Sequence, residues 1–182
     1  MKRFAFAIAA TIALAACGGA GTTTASPTTA GTTAATTAPT AAPTAAPVTV
    51  FTFKADLKSN EENPPITGAE ATCAGTGTLT LDTAAKSAKF DVSITGCPAS
   101  AVINIGHIHK GAKGVNGGVV IDSTLKAGDL KLTAGAVTFS KTNPAADPAV
   151  VADVIANPAS YYMNFHSAVN GGGVIRAQLV KG

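Results

Sequence analysis

"FTFKADL" (residues 51–57) sets Phe51, Phe53, Ala55 and Leu57 on one side of an extended chain and Thr52, Lys54 and Asp56 on the other. Successive side chains of a strand point to opposite faces, so this period of two predicts a strand with one face against a core. The period recurs downstream. "TLTLD" (78–82) groups Leu79 with Leu81, and "KFDVSIT" (89–95) groups Phe90, Val92 and Ile94. Further strands are expected at 101–109, 118–125, 135–140, 160–167 and 173–181; in the last, Ile175, Ala177 and Leu179 alternate with Arg176 and Gln178. Clusters of Gly, Pro, Asn and Asp separate these segments, as antiparallel connections require. The pattern predicts an all-β domain, an antiparallel Greek-key β-sandwich or barrel.

One short helix interrupts the alternation. "DPAVVADVIANP" (147–158) opens with an Asp suited to the N-cap and a Pro at the first helical position. Val150, Val151, Val154 and Ile155 then share a face, and Pro158 ends it. A cover over one end of the barrel is the expected role.

The domain begins near residue 48, and what precedes it has a different composition. Met1-Lys2-Arg3 and the apolar run Phe4 to Ala16 read as a secretory signal peptide over residues 1–16, too short to span a bilayer comfortably. "LAAC" (14–17) resembles the lipobox of bacterial lipoproteins. That likeness implies lipidation of Cys17, a membrane anchor and an extracytoplasmic address at the cell envelope. Ordinary cleavage after Ala15 is the alternative and would leave Cys17 a free thiol. From Gly18 to Val50 only Gly, Ala, Thr, Ser, Pro and Val occur, so nothing can offset the entropy of ordering the segment. Residues 17–47 are therefore expected to be a lipidated cysteine plus a disordered Thr/Ala/Pro linker, and 48–182 the folded domain. Loss of Lys2 and Arg3 with the signal would lower the basic residues from 13 to 11, against 10 acidic ones. Such a balance excludes a nucleic-acid binder, which needs concentrated positive charge.

Cys73 and Cys97 are the only cysteines of the folded segment. An isolated pair in an exported chain is expected to form a disulfide. No C-x-x-C redox motif is present.

Three histidines carry the remaining chemistry. His107 and His109 lie two residues apart in "GHIHKGAKGVNGG" (106–118), and His166 stands in "YYMNFHSAVNGGGVIR" (161–176). Residues i and i+2 of a strand share a face, so both imidazoles of the H-x-H pair can aim at one point, with Ile108 toward the core. If the strand of His166 lies alongside, three neutral imidazoles become a candidate metal site for Cu or Zn. The alternative is a structural network, in which the rings bond buried carbonyls and Asn104, Asn164 or Ser167. Parity complicates both readings: Ile103 and Ile105 fall on the face of the two histidines, which calls for either a bulge or a partly buried layer. Glu62, which follows Glu61, and Arg176, a single charge in an uncharged stretch, are with Asn164 candidate polar partners of the trio. Lys110 and Lys113 could engage an acidic ligand.

"GHIHKGAKGVNGGVV" (106–120) together with "YYMNFHSAVNGGGVIRAQL" (161–179) resembles the CHRD domain, the module named after chordin, and Glu62-Asn63-Pro64-Pro65 fits that family's Glu-x-Pro-Pro element. The likeness spans 49–181. Gly118 and Gly171 replace a common proline, Val174 a glutamate and Ala177 a glycine. It implies a binding or structural role without catalytic residues, toward an extracytoplasmic protein or an envelope polymer. The H-x-H strand is also similar to that of Cu,Zn superoxide dismutase, which implies a dismutase-like or immunoglobulin-like barrel and, as the second functional reading, a mononuclear Cu/Zn protein with redox activity. The first expectation is thus a non-catalytic envelope lipoprotein that displays one β-domain.

Overall fold

The computed structural model describes residues 46–182; the expected signal peptide, Cys17 and most of the expected linker lie outside the described residues. Nine strands follow: β1 (Val50–Lys58), β2 (Ala74–Asp82), β3 (Ser87–Thr95), β4 (Ile103–Lys110), β5 (Gly118–Asp122), β6 (Val137–Asn143), β7 (Tyr161–Ser167), β8 (Ile175–Gln178) and β9 (Val180–Lys181). Among the described residues a single α-helix, α1 (Pro148–Ala156), lies between β6 and β7.

Alternation decides the faces as expected. Phe53, Ala55 and Leu57 of β1 are buried while Thr52, Lys54 and Asp56 are exposed. Leu79 and Leu81 of β2 and Phe90, Val92 and Ile94 of β3 join the same core. All strands pair antiparallel in one sheet, ordered β5-β4-β7-β8-β1-β2-β3-β6, with β9 beside β1. The sheet curls into a half-barrel. Its terminal strands meet at one end, where Asn143 Nδ2 donates to the Asp122 carbonyl at 3.0 Å. Across the core, Phe139 of β6 and Phe165 of β7 pack edge to face with centroids 5.7 Å apart. Gly106 makes room for that pair, since a Cβ there would stand 2.2 Å from the Phe165 ring.

α1 starts where its caps predict. The Asp147 carboxylate accepts from the Ala149 amide at 2.8 Å, and Pro148 occupies the first turn. Val151 and Val154 are buried in the core, with Val150 and Ile155 packed at its margin. Asp153 fixes the helix to the sheet by accepting from Lys110 Nζ at 2.7 Å and from the Tyr161 hydroxyl. Cys73 and Cys97 form a disulfide linking the start of β2 to the segment after β3.

Candidate metal centre

The parity question at β4 is resolved by an irregularity. The register against β7 shifts between Ile103 and Ile105, with Asn104 between them. Ile103 is fully buried whereas Ile105 is 36% exposed. An extra residue in one strand turns every later side chain to the other face. Ile108 therefore enters the core, and His107 and His109 occupy the outer face. There β7 lies alongside, pairing Ile105 with His166, His107 with Asn164 and His109 with Tyr162. β8 extends the row, with Arg176 opposite Asn164 and Gln178 opposite Tyr162.

This outer face is roofed, which is why every residue of β7 is buried. The roof is the segment between β1 and β2, including short turns of 3-10 helix at Ser59–Glu61 and Ala69–Thr72, together with the loops 111–117 and 168–173. Asn63 Nδ2 donates to the Gly114 carbonyl and Asn116 Nδ2 to the Asn63 carbonyl, both at 2.7 Å. Glu70 accepts from Ser167 Oγ and Asn170 Nδ2, both at 2.5 Å.

Beneath the roof the three imidazoles converge. Their candidate ligand atoms lie within 4.8 Å of one another, and His107 Nδ1 is 3.3 Å from His166 Nε2. Two nitrogens bound to one tetrahedral ion at ~2.0–2.1 Å stand ~3.3–3.4 Å apart, so one edge of the triangle already has metal spacing. The other edges need to close by at most roughly 1–1.5 Å. Tautomers are fixed by the roof. His109 Nδ1 donates to the Gly117 carbonyl and His166 Nδ1 to the Gly171 carbonyl, each at 3.0 Å. A carbonyl only accepts, so both Nδ1 atoms carry the proton and both Nε2 atoms keep a lone pair. His109 Nε2 is buried without a partner. Burial holds all three rings below the ordinary imidazole range of 6.5. His166 adds to this at His107, and the carbonyl bonds of Gly117 and Gly171 oppose it at His109 and His166. Neutral rings are the form that binds metal.

The flanking polar groups are buried too. Tyr162 stacks flat on His109, centroids 4.9 Å apart and planes 7° apart, while its hydroxyl accepts from the Gly117 amide. The Arg176 guanidinium lies 4.9 Å over the other partner, the Tyr162 ring, and donates to Asn116 Oδ1 at 2.8 Å and to the Glu61 carbonyl. Glu62 Oε2 is 4.0 Å from Arg176 Nε, and Glu62 Oε1, Asn164 Oδ1 and Arg176 Nη2 have no partner. Burial raises the Glu62 carboxyl to about 7 against the pull of Arg176. Gly173, at φ 137°, permits this crowding: a Cβ there would stand 2.6 Å from Asn164 Nδ2 and 2.7 Å from both Glu62 oxygens.

The structure thus gathers His107, His109, His166, Glu62, Asn164 and Arg176 into one layer. It does not give Asn104, Asn164 or Ser167 to the histidines: the first two make no bond to the rings and Ser167 bonds Glu70. Lys110 and Lys113 are engaged with Asp153 and Glu61. Sequence reasoning did not single out Tyr162 or Glu70. The parity of Tyr162 with Asn164 and His166 could have found the first; no local signal marks the second.

Residues 53–179 match the family model of the CHRD domain, well over half of the chain. No curated protein matches the chain. The chain belongs to the CHRD domain family.

Proposed function

We propose that this CHRD-domain protein is an exported lipoprotein, anchored at the cell envelope through Cys17, whose β-domain binds one late first-row transition-metal ion on His107, His109 and His166. The observation that carries the reading is the orientation of the rings: two Nδ1 protons are locked onto main-chain carbonyls, which leaves a lone pair on each Nε2, that of His166 in contact with His107 Nδ1 and that of His109 buried without a partner. Second-sphere bonds of this kind orient metal-binding imidazoles and strengthen their basicity. His107 would ligate through Nδ1, its proton passing to Nε2, which faces Asp122 Oδ2 at 4.0 Å. In a purely structural network His107 donates to His166, which accounts for their 3.3 Å contact but leaves His109 Nε2 orphaned in the interior. An unmet buried acceptor costs ~1–3 kcal/mol, and an ion removes that cost.

The domain is then a binding module that holds its ion at the envelope and carries no catalytic group of its own. Metal analysis tests this. Protein exposed to Cu or Zn and dialysed is expected to keep one equivalent, and His107→Ala, His109→Ala and His166→Ala are each expected to lose it while retaining a folded circular-dichroism spectrum. Wild-type protein that keeps no metal, or folded histidine variants that keep it, would overturn the reading.

A further inference from the structure

The charge around the trio bears on which ion it takes. Among the described residues the ligand group consists of three uncharged imidazoles, with no carboxylate or thiolate in it. An ion bound there keeps its full formal charge. Asp122, the acid closest to the open edge of His107, is largely exposed, and water screens it.

A fixed positive charge stands on the other side. Arg176 is 3% exposed, and its guanidinium lies against the ring of Tyr162, which itself stacks on His109. An arginine cannot shed its proton under these conditions. Nor is it closely paired. Glu62 Oε2 stays 4.0 Å from Nε, Nη2 has no partner, and the bonds Arg176 does make are to neutral oxygens of Asn116 and Glu61. Two centroid distances of 4.9 Å keep the guanidinium within about 10 Å of the His109 ring. At an effective dielectric constant of ~20, each positive charge on the ion then loses roughly tenfold in affinity. A dication suffers this twice. Coordination number acts in the same direction, because three nitrogens complete a shell for Cu(I) whereas Zn(II) takes a fourth ligand.

We infer that the three-histidine site selects the monovalent soft ion Cu(I) over divalent ions, and that Arg176 sets this preference from outside the coordination shell. The inference rests on the metal-binding reading above and goes further by naming the ion and the residue that discriminates.

The test uses the full chain under anaerobic conditions, titrated with Cu(I) against a colorimetric Cu(I) chelator and with Zn(II) against a zinc chelator. Wild-type protein is expected to bind Cu(I) more tightly than Zn(II). Arg176→Gln is expected to narrow the Cu(I)-to-Zn(II) affinity ratio roughly tenfold, and Arg176→Lys, which keeps the charge, to preserve it. Should Arg176→Gln fail to fold, Glu62→Gln provides the complementary arm at pH 8, above the value of about 7 for its carboxyl: there it removes the negative charge 4.0 Å from the guanidinium and is expected to widen the ratio. Tighter Zn(II) binding through the same histidines, or a ratio insensitive to these changes, would overturn the selectivity and leave the metal site standing. Failure to bind either ion would overturn both.

Discussion

Glu62 is a carboxylate that the fold would rather keep protonated. Its carboxyl is raised from the ordinary 4.5 to about 7, because burial outweighs the attraction of Arg176. The native state therefore holds this proton more tightly than the unfolded chain does. Its contribution to stability is complete below pH 4.5 and is lost as pH rises through about 7. The histidines act in the opposite sense: held below 6.5, they contribute above that value and lose their contribution as pH falls. Glu62→Gln copies the protonated form. The variant and the wild type should be equally stable near pH 4.5 in urea unfolding, and the variant should be more stable by about 2–3 kcal/mol at pH 8. A difference that stays flat between these pH values would show that the carboxyl is not buried as described. The sequence marks Glu62 and Arg176 as charged, and Asn164 as a hydrogen-bonding, candidate partner of the histidines. Their burial was not legible, because the roof that desolvates them comes from segments remote from β8.

At the scale of elements, the strands with clean alternation were readable and the site was hidden in an irregularity. β1, β2 and β3 keep strict parity, so their inward residues follow from the sequence alone. β4 does not. Its register shift places Ile103 and Ile105 on opposite faces; the parity of "AVINIGHIHK" calls for a bulge or a partly buried layer and does not choose between them. The roof was equally silent, since the turns between β1 and β2 have no hydrophobic period. One covalent feature connects the two. Cys73 ends the roof segment, and its disulfide partner Cys97 begins the connection into β4. Closing a loop of this length stabilises the fold by about 3 kcal/mol on the chain-entropy account. A Cys73→Ser, Cys97→Ser double variant should lose about that much in denaturant unfolding. It should also release bound metal faster, because the end of the roof is then held by hydrogen bonds alone. Equal metal dissociation rates in both proteins would separate the roof from the site.

On the scale of the whole molecule, the sequence determined the class of the fold more firmly than its closure. A chain of alternating segments implies an all-β domain, yet which strands meet depends on crossings: β3 lies beside β6, β4 beside β7 and β8 beside β1, none of them joined by a hairpin. Long-range contacts such as Phe139 with Phe165 fix the curl, and neither residue declares its partner locally. The expected linker lies almost wholly outside the described residues. Cys17 and Val50 are separated by a segment of Gly, Ala, Thr, Ser, Pro and Val alone. Each buried methylene of an acyl chain contributes ~0.8 kcal/mol, so under the lipidation proposed above more than one chain on Cys17 would give stable anchoring. The wild-type protein should therefore sediment with membranes and enter the detergent phase on partitioning, and Cys17→Ser should move it to the aqueous phase. Because the histidines, the roof and the disulfide all lie within residues 59–176, the released variant should bind the same single equivalent of metal. Wild-type protein that remains aqueous, or a Cys17→Ser protein that still sediments with membranes, would remove the lipid anchor from the account without touching the site.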